Sequence, residues 1–234
     1  MTESEAKRLG LEIRDVAGTL GTSAGARTEF RTAVAKRLTL GNVEFENVSF
    51  AVFRDDQEPW SHLPHGERGI LGIPILLGAG TLRWRNDGTI EIGAPGARRD
   101  LAAPNLFFDE NHLVVAAAID GHTVLTTLDT GAETTDLYGR FAAAFPMLIE
   151  SQGKKSSTEV RGVGHAESFD SVTLPALTFR LTGVDVALRP AQVILKDIGA
   201  KCCVGNLGLD LLTQADGFTI DFRSMTLQLE RRPL

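Results

Sequence analysis

Short apolar runs rich in Val, Ile, Thr and Phe recur along the chain, each bounded by Gly, Asp, Asn or Pro. They fall at Val43–Phe53, Thr89–Ile92, Leu113–Ile119, Val124–Leu128, Ser171–Leu181, Val184–Leu195 and Phe218–Leu229. Runs of β-branched and aromatic residues closed by turn formers predict strands. Helical periodicity is scarce. Asp136–Phe145 and Gly208–Gln214 predict short helices, and Ser4–Leu9 reads as the end of a third. The pattern predicts an all-β protein, and 234 residues suffice for one large domain or two small lobes.

The two halves repeat one another. Gly69-Ile-Leu-Gly-Ile-Pro-Ile-Leu76 aligns with Gly205-Asn-Leu-Gly-Leu-Asp-Leu-Leu212, and Thr89-Ile-Glu-Ile92 with Thr226-Leu-Gln-Leu229. Upstream, Leu38–Phe50 follows the pattern of Val172–Gly183. The Pro-, Gly- and Arg-bearing stretch between Ile92 and His112 reads as a connector. The expected organisation is an N-terminal lobe over 1–95, a connector over 96–112 and a C-terminal lobe over 113–234.

A net charge of −6 and a pI near 5.4 argue against a nucleic-acid partner. No apolar run approaches the roughly 20 residues that span a bilayer, so no membrane partner is expected. The charged start Met1–Arg8 lacks the apolar core of a signal peptide. A soluble chain follows, with periplasmic or secreted and cytoplasmic locations all open. The five His, at 62, 65, 112, 122 and 165, show no metal-binding spacing, so neither metal nor cofactor is expected. Cys202 and Cys203 are adjacent; a bridge between neighbours strains the peptide, which favours two buried thiols.

The richest local chemistry lies in Asp129-Thr130-Gly131-Ala132, at the end of the apolar run Val124–Leu128. A strand there delivers a carboxylate into a tight turn that Gly131 permits. A strand ending in Asp-Thr-Gly-Ala, a glycine hairpin, a hydrophobic–hydrophobic–Gly element at Asn206-Leu207-Gly208 and a closing Thr219-Ile-Asp-Phe222 strand together resemble the retropepsin-like and pepsin-like aspartic peptidases, in particular bacterial two-lobe aspartyl protease family proteins. The resemblance covers the whole chain and is strongest over 113–230.

It implies acid-protease β-barrel lobes and hydrolysis of peptide bonds by water activated between two carboxylates. Like charges about 3 Å apart cannot both ionise, so such a pair shares one proton and titrates as a unit. By resemblance Asp129 is catalytic, and Thr130, Gly131 and Ala132 form its turn. Ala at 132, as in retroviral enzymes, implies a dyad less acidic than pepsin's. Glu133 is implied to accept hydrogen bonds from substrate backbone. Gly162, Val163, Gly164 and His165 lie where the family places a substrate-covering flap, with Gly18–Gly25 as its first-half counterpart. Asn206-Leu207-Gly208 and Ile70-Leu71-Gly72 are implied to pass beneath the two active-site turns, and Asp210 and Asp221 read as structural.

The chain carries a single Asp-Thr-Gly. Asp129 precedes Gly208 by 79 residues, and the same spacing before Gly72 puts a first catalytic Asp about seven residues ahead of Met1. The expected enzyme is therefore a two-lobe peptidase whose first lobe lacks its opening strands and active-site turn. Two alternatives stand beside it: a homodimer joined through the Asp129 face, and a catalytically silent peptide-binding module that keeps the peptidase fold. Gly21-Thr-Ser-Ala-Gly25 matches the Gly-x-Ser-x-Gly elbow of serine hydrolases, but the β-rich surroundings lack the alternating helices that motif requires.

Overall fold

The structure, a computed structural model, describes residues 1–21, 27–93, 104–162 and 165–230. The chain divides into two compact units, Met1–Ala79 with Val160–Glu167, and Gly80–Glu159 with Ser168–Leu234.

The first unit opens with a helix α1 (Glu3–Arg8), followed by strands β1 (Ile13–Gly21), β2 (Arg27–Leu40) and β3 (Val43–Val52). The three strands form an antiparallel meander. A 3₁₀ turn at Trp60–His62 and helix α2 (Ile73–Ala79) complete the unit. Thr2 starts α1 because its hydroxyl accepts a hydrogen bond from the Glu5 N–H. Acidic Glu3 and Glu5 in the first turn and basic Lys7 and Arg8 in the last suit the helix dipole. A small core of Ala6, Ala33 and Val52 is extended by Met1, Leu11 and Ile13, and Phe53 stacks on buried Trp60 at 6.0 Å.

The second unit holds strands β4 (Thr81–Arg85), β5 (Ile90–Ile92), β6 (Leu106–Asp109), β7 (His112–Ile119), β8 (His122–Leu128) and β9 (Asp136–Leu137), then helices α3 (Gly139–Ala144) and α4 (Pro146–Gln152). After these come β10 (Lys154–Gly162), β11 (His165–Leu174), β12 (Leu177–Leu181), β13 (Val184–Leu188), β14 (Ala191–Ile194), β15 (Gly205–Leu207), helix α5 (Leu209–Leu212), β16 (Gly217–Asp221) and β17 (Thr226–Glu230). The tips of β10 and β11 fall in the first unit. One sheet runs β10-β11-β14-β9-β15-β8-β7-β12-β13, with β6 added on β7, and a second runs β17-β16-β4-β5.

Local sequence accounts for the hairpins. Asp120-Gly121 between β7 and β8, and Thr182-Gly183 between β12 and β13, both place two successive residues at positive φ. That is the two-residue turn whose twist matches right-handed strands, and it sets the registers Ile119↔His122 and Leu181↔Val184. Alternation in β12 buries Leu177, Phe179 and Leu181 and leaves Thr178 and Arg180 outside. The core of this unit is built on Leu137, Phe141, Leu174, Ile194, Leu207, Leu211 and Phe218, all nearly free of solvent contact.

The all-β architecture expected from the pattern is the observed one. The expected helix at Gly208–Gln214 is the short α5, and that at Ser4–Leu9 is α1. The expectation of a helix over Asp136–Phe145 is corrected at its start, because Asp136 and Leu137 are claimed as strand by neighbours on both sides. The cysteine expectation is corrected as well. Cys202 and Cys203 are joined in a disulfide, and Cys203 is wholly buried. Residues 80–93, placed with the first half by the repeat, lie in the larger unit, where β4 pairs with β16 along its full length. Residues 94–103 of the expected connector and residues 22–26, which hold most of the Gly21–Gly25 motif and part of the first flap candidate, lie outside the described residues. Among the described residues no helix is long and apolar enough to cross a membrane.

Candidate active site

Strand β8 is buried at Val124, Thr126, Thr127 and Leu128, and the residue that follows, Asp129, is exposed. The carboxylate thus leaves a packed sheet at a fixed point. Its Oδ1 accepts the Gly131 N–H at 2.8 Å, which closes a tight turn, and the Ala132 N–H donates to the Asp129 carbonyl at 3.2 Å.

The turn is held from beneath by a segment far along the chain. β15 lies parallel to β8 (Asn206↔Thr127, Leu207↔Leu128) and antiparallel to β9 (Gly205↔Leu137, Asn206↔Asp136). It therefore sits between the strand entering the turn and the strand leaving it. The Asp129 N–H donates to the Leu207 carbonyl at 3.0 Å, the Leu209 N–H to Ala132 at 2.9 Å and the Asp210 N–H to Glu133 at 3.2 Å. Gly205 and Gly208 are where this crossing is tightest. A Cβ at 205 would lie 2.4 Å from the Asp136 carbonyl oxygen, and one at 208 would lie 2.6 Å from that of Thr134.

Thr135 ties the layers together. Its buried hydroxyl donates to Asp210 Oδ1 at 2.6 Å and accepts the Gly208 N–H at 2.9 Å, while its own N–H donates to Asp210 Oδ2 at 3.0 Å. Thr135→Val would strand one buried donor and one carboxylate oxygen. Leaving such groups unpaired costs about 1–3 kcal/mol, so the urea midpoint is expected to fall accordingly with an unchanged slope.

Each residue singled out in the sequence has a plain location. Thr130 and Ala132 are half-buried within the turn, and Gly131 and Glu133 are exposed on it. Gly162 ends β10 and His165 opens β11, whereas Val163 and Gly164 lie outside the described residues. The Asn206 side chain accepts the Thr127 hydroxyl at 2.6 Å. Asp210 serves Thr135 as described, and Asp221 accepts the Arg223 and Ser224 N–H groups in a turn, which makes both acids structural.

Two residues next to the turn carry perturbed chemistry that sequence reasoning did not single out. Burial, and secondarily the charge of Asp210, pushes the Asp136 carboxyl from its usual 3.8 up to about 6. Burial and then the charges of Asp136 and Asp129 also push the Tyr138 phenol above its ordinary value. The linkage for Asp136 has a definite sign. Between the ordinary carboxyl range and pH 6 the folded chain binds more protons than the unfolded one, so stability falls as pH rises through that window. The loss is about 2 kcal/mol, the shift being discounted for the side chain's partial exposure. Asp136→Asn is expected to be the more stable protein in urea at pH 7, with the difference closing near pH 4. A destabilised Asn variant at pH 7 would show instead that the carboxylate has a favourable partner.

Residues 1–75 match the model of a family described as aspartyl protease. That stretch, about a third of the chain, carries no Asp-Thr-Gly, while the turn described above lies beyond it at residues 129–132. The chain resembles the retropepsin-like aspartic proteases. Solved structures of such proteases match parts of it. A retropepsin-like aspartic protease from Rickettsia conorii is 19% identical over 50% of this chain and 80% of its own, with a TM-score of 0.34. The EIAV protease, solved in complex with the inhibitor HBY-793, is 23% identical over 45% and 88%, with a TM-score of 0.33. The retroviral protease-like domain of Ddi1 from Leishmania major is 17% identical over 50% and 86%, with a TM-score of 0.34. No curated protein sequence matches the chain.

Proposed function

We infer that this retropepsin-like chain is an aspartic endopeptidase in which Asp129 supplies one of two carboxylates that activate water. The observation that carries the reading is the clamped turn: an exposed Asp at the end of a buried strand, with Leu207 and Gly208 fixed beneath it. A catalytic carboxylate must be accessible yet immobile, and this arrangement supplies both properties. In the reaction the ionised member of the pair takes a proton from water as the oxygen attacks the scissile carbonyl. The protonated member gives its proton to the carbonyl oxygen; the C–N bond then breaks as the proton taken from water passes to the amine nitrogen and a hydroxyl proton of the tetrahedral intermediate returns to the second carboxylate.

The second carboxylate comes from another such turn, including one supplied by a second chain meeting this one through its Asp129 face. Thr130 and Ala132 support the turn. By the family resemblance Glu133 is the candidate acceptor of substrate backbone hydrogen bonds, and Gly162, Val163, Gly164 and His165 are the candidate substrate-covering segment. One observation favours a second reading, a silent peptide-binding module: the 234 residues contain one Asp-Thr-Gly. Incubation with a mixed peptide library, with and without a pepstatin-type mimic, separates the two. The enzyme gives inhibitable cleavage, and a binding module retains peptides without cutting them.

A further inference from the structure

One register carries polar side chains across the sheet beside Asp129. Thr127 of β8 pairs with Asn206 of β15, Asn206 with Asp136 of β9, Asp136 with Gln192 of β14, and Gln192 with Thr173 of β11. Residues paired across neighbouring strands point to the same face, so these five side chains form a row. Ser156 of β10 lengthens it, its hydroxyl lying 2.9 Å from that of Thr173. The opposite face is core, where Leu137, Leu174, Val193 and Leu207 are wholly buried. All of these residues belong to the second unit.

The other members of the row are matched with one another. Thr127 donates its hydroxyl to Asn206 at 2.6 Å, and Thr173 donates to Gln192 at 3.0 Å. Asp136 is the exception. It is half-buried, and among the described residues its carboxyl accepts no hydrogen bond and forms no ion pair; the charge that acts on it, that of Asp210, has the same sign. An uncharged side chain would suit that position better in the free protein, and an unfavourable ionisable group beside a cleft residue points to a ligand that completes it. Asp129 is close by. It stands two residues beyond Thr127, and its N–H continues the ladder to Leu207, so it lies on the same side of β8. Two strand spacings, about 10 Å, separate β8 from β9, a span of about three residues of extended peptide. The Tyr138 phenol feels the charges of both Asp136 and Asp129.

We propose that Asp136 sets substrate specificity: its carboxylate pairs with a Lys or Arg side chain of a peptide bound at Asp129. The amide oxygens of Asn206 and Gln192, on the strands to either side, are further acceptors for the N–H groups of the arriving cation. An apolar side chain does not fit this row, because it would strip water from a carboxylate and two amides and return no hydrogen bond. The assignment rests on the reading of Asp129 as the place where the peptide binds, but it does not require that the peptide be cut.

The probes are short neutral peptides in which a single Lys is walked along the sequence, each matched by a peptide with norleucine in the same place, which keeps the aliphatic stem and removes the charge. Affinity is measured by titration calorimetry and cleavage by mass spectrometry, at about pH 8, where the Asp136 carboxyl is ionised. At one place Lys is expected to be preferred at least about tenfold in Kd, and in kcat/KM where cleavage occurs, the size of a charge-assisted hydrogen bond. In Asp136→Asn that preference is expected to fall to about one, with the fold retained by circular dichroism. A preference that survives Asp136→Asn assigns the cation to another acid, such as Glu133, and overturns the proposal. Equal affinity for Lys and norleucine at every place overturns it, as does a preference for Lys that is the same at all places, which is general attraction to a chain of net charge −6. Failure of every peptide to bind overturns it too. Selective binding without cleavage leaves it standing and removes the peptidase reading, and cleavage without selectivity does the reverse.

Discussion

Asp129→Asn is expected to lower peptide cleavage by about 10³-fold while leaving the stability of the fold unchanged. The rate effect follows from removing a proton-transfer group, which costs about 10²–10⁴-fold. The stability expectation follows from geometry. Asp129 is exposed, and its carboxyl accepts a hydrogen bond at Oδ1 from the Gly131 N–H. Asn keeps an oxygen in that position, so the turn has no reason to open. Cleavage is measured with a fluorogenic peptide and stability by thermal melting. A variant that cuts at the parent rate would remove Asp129 from the chemistry. A variant that is inactive and also unfolds early would make Asp129 a structural residue instead.

Gly208→Ala is expected to cost more than about 3 kcal/mol, the upper end of the usual overpacking range. The penalty is steric alone, because Gly208 has φ −102°, a value any residue adopts. Its Cβ would lie 2.6 and 2.7 Å from the Thr134 carbonyl oxygen and carbon and 2.9 Å from the Ala132 oxygen. These are backbone atoms of the turn that follows Asp129, held by the Leu209 and Asp210 N–H groups, and they have little room to retreat. The repeat supplies its own control. A Cβ at Gly72, the counterpart of Gly208, would meet only Pro74 Cδ at 3.5 Å, an ordinary contact. Gly72→Ala is expected to stay within about 0.5 kcal/mol of the parent in a urea titration. Equal effects at the two glycines would contradict the packing difference between the units.

The turn was legible in the sequence because its signals are local. Val124–Leu128 reads as a strand from composition, and Asp129-Thr130-Gly131 reads as a turn from residue type. Gly208 was legible through the repeat, which aligned it with Gly72 before any contact was visible. Asp136 was not. A strand of two residues is too short to show a period of two, and its extended state is imposed by Gln192, Gly205 and Asn206. The perturbation of its carboxyl has the same origin, since burial there depends on partners with no signature near residue 136. β2, with Arg27, Arg31, Lys36 and Arg37 interrupting its apolar positions, likewise escaped composition and is held by register with β1 and β3. The cysteine pair was misjudged because residue spacing alone argued for two thiols; the structure joins them, and the expectation of burial holds fully for Cys203, which packs with Val114, Leu125 and Ala200.

The threading of β15 between β8 and β9 also sets an order of events during synthesis. Thr127 and Asn206, bonded across that seam, are separated by 79 residues. No part of the clamp under Asp129 can form on a growing chain until residues 205–210 have left the ribosome. The hairpins β7–β8 and β12–β13, closed by two-residue turns, can form well before that. The carboxylate is thus built early and immobilised late, and a nascent chain shortened before residue 205 carries Asp129 without its clamp.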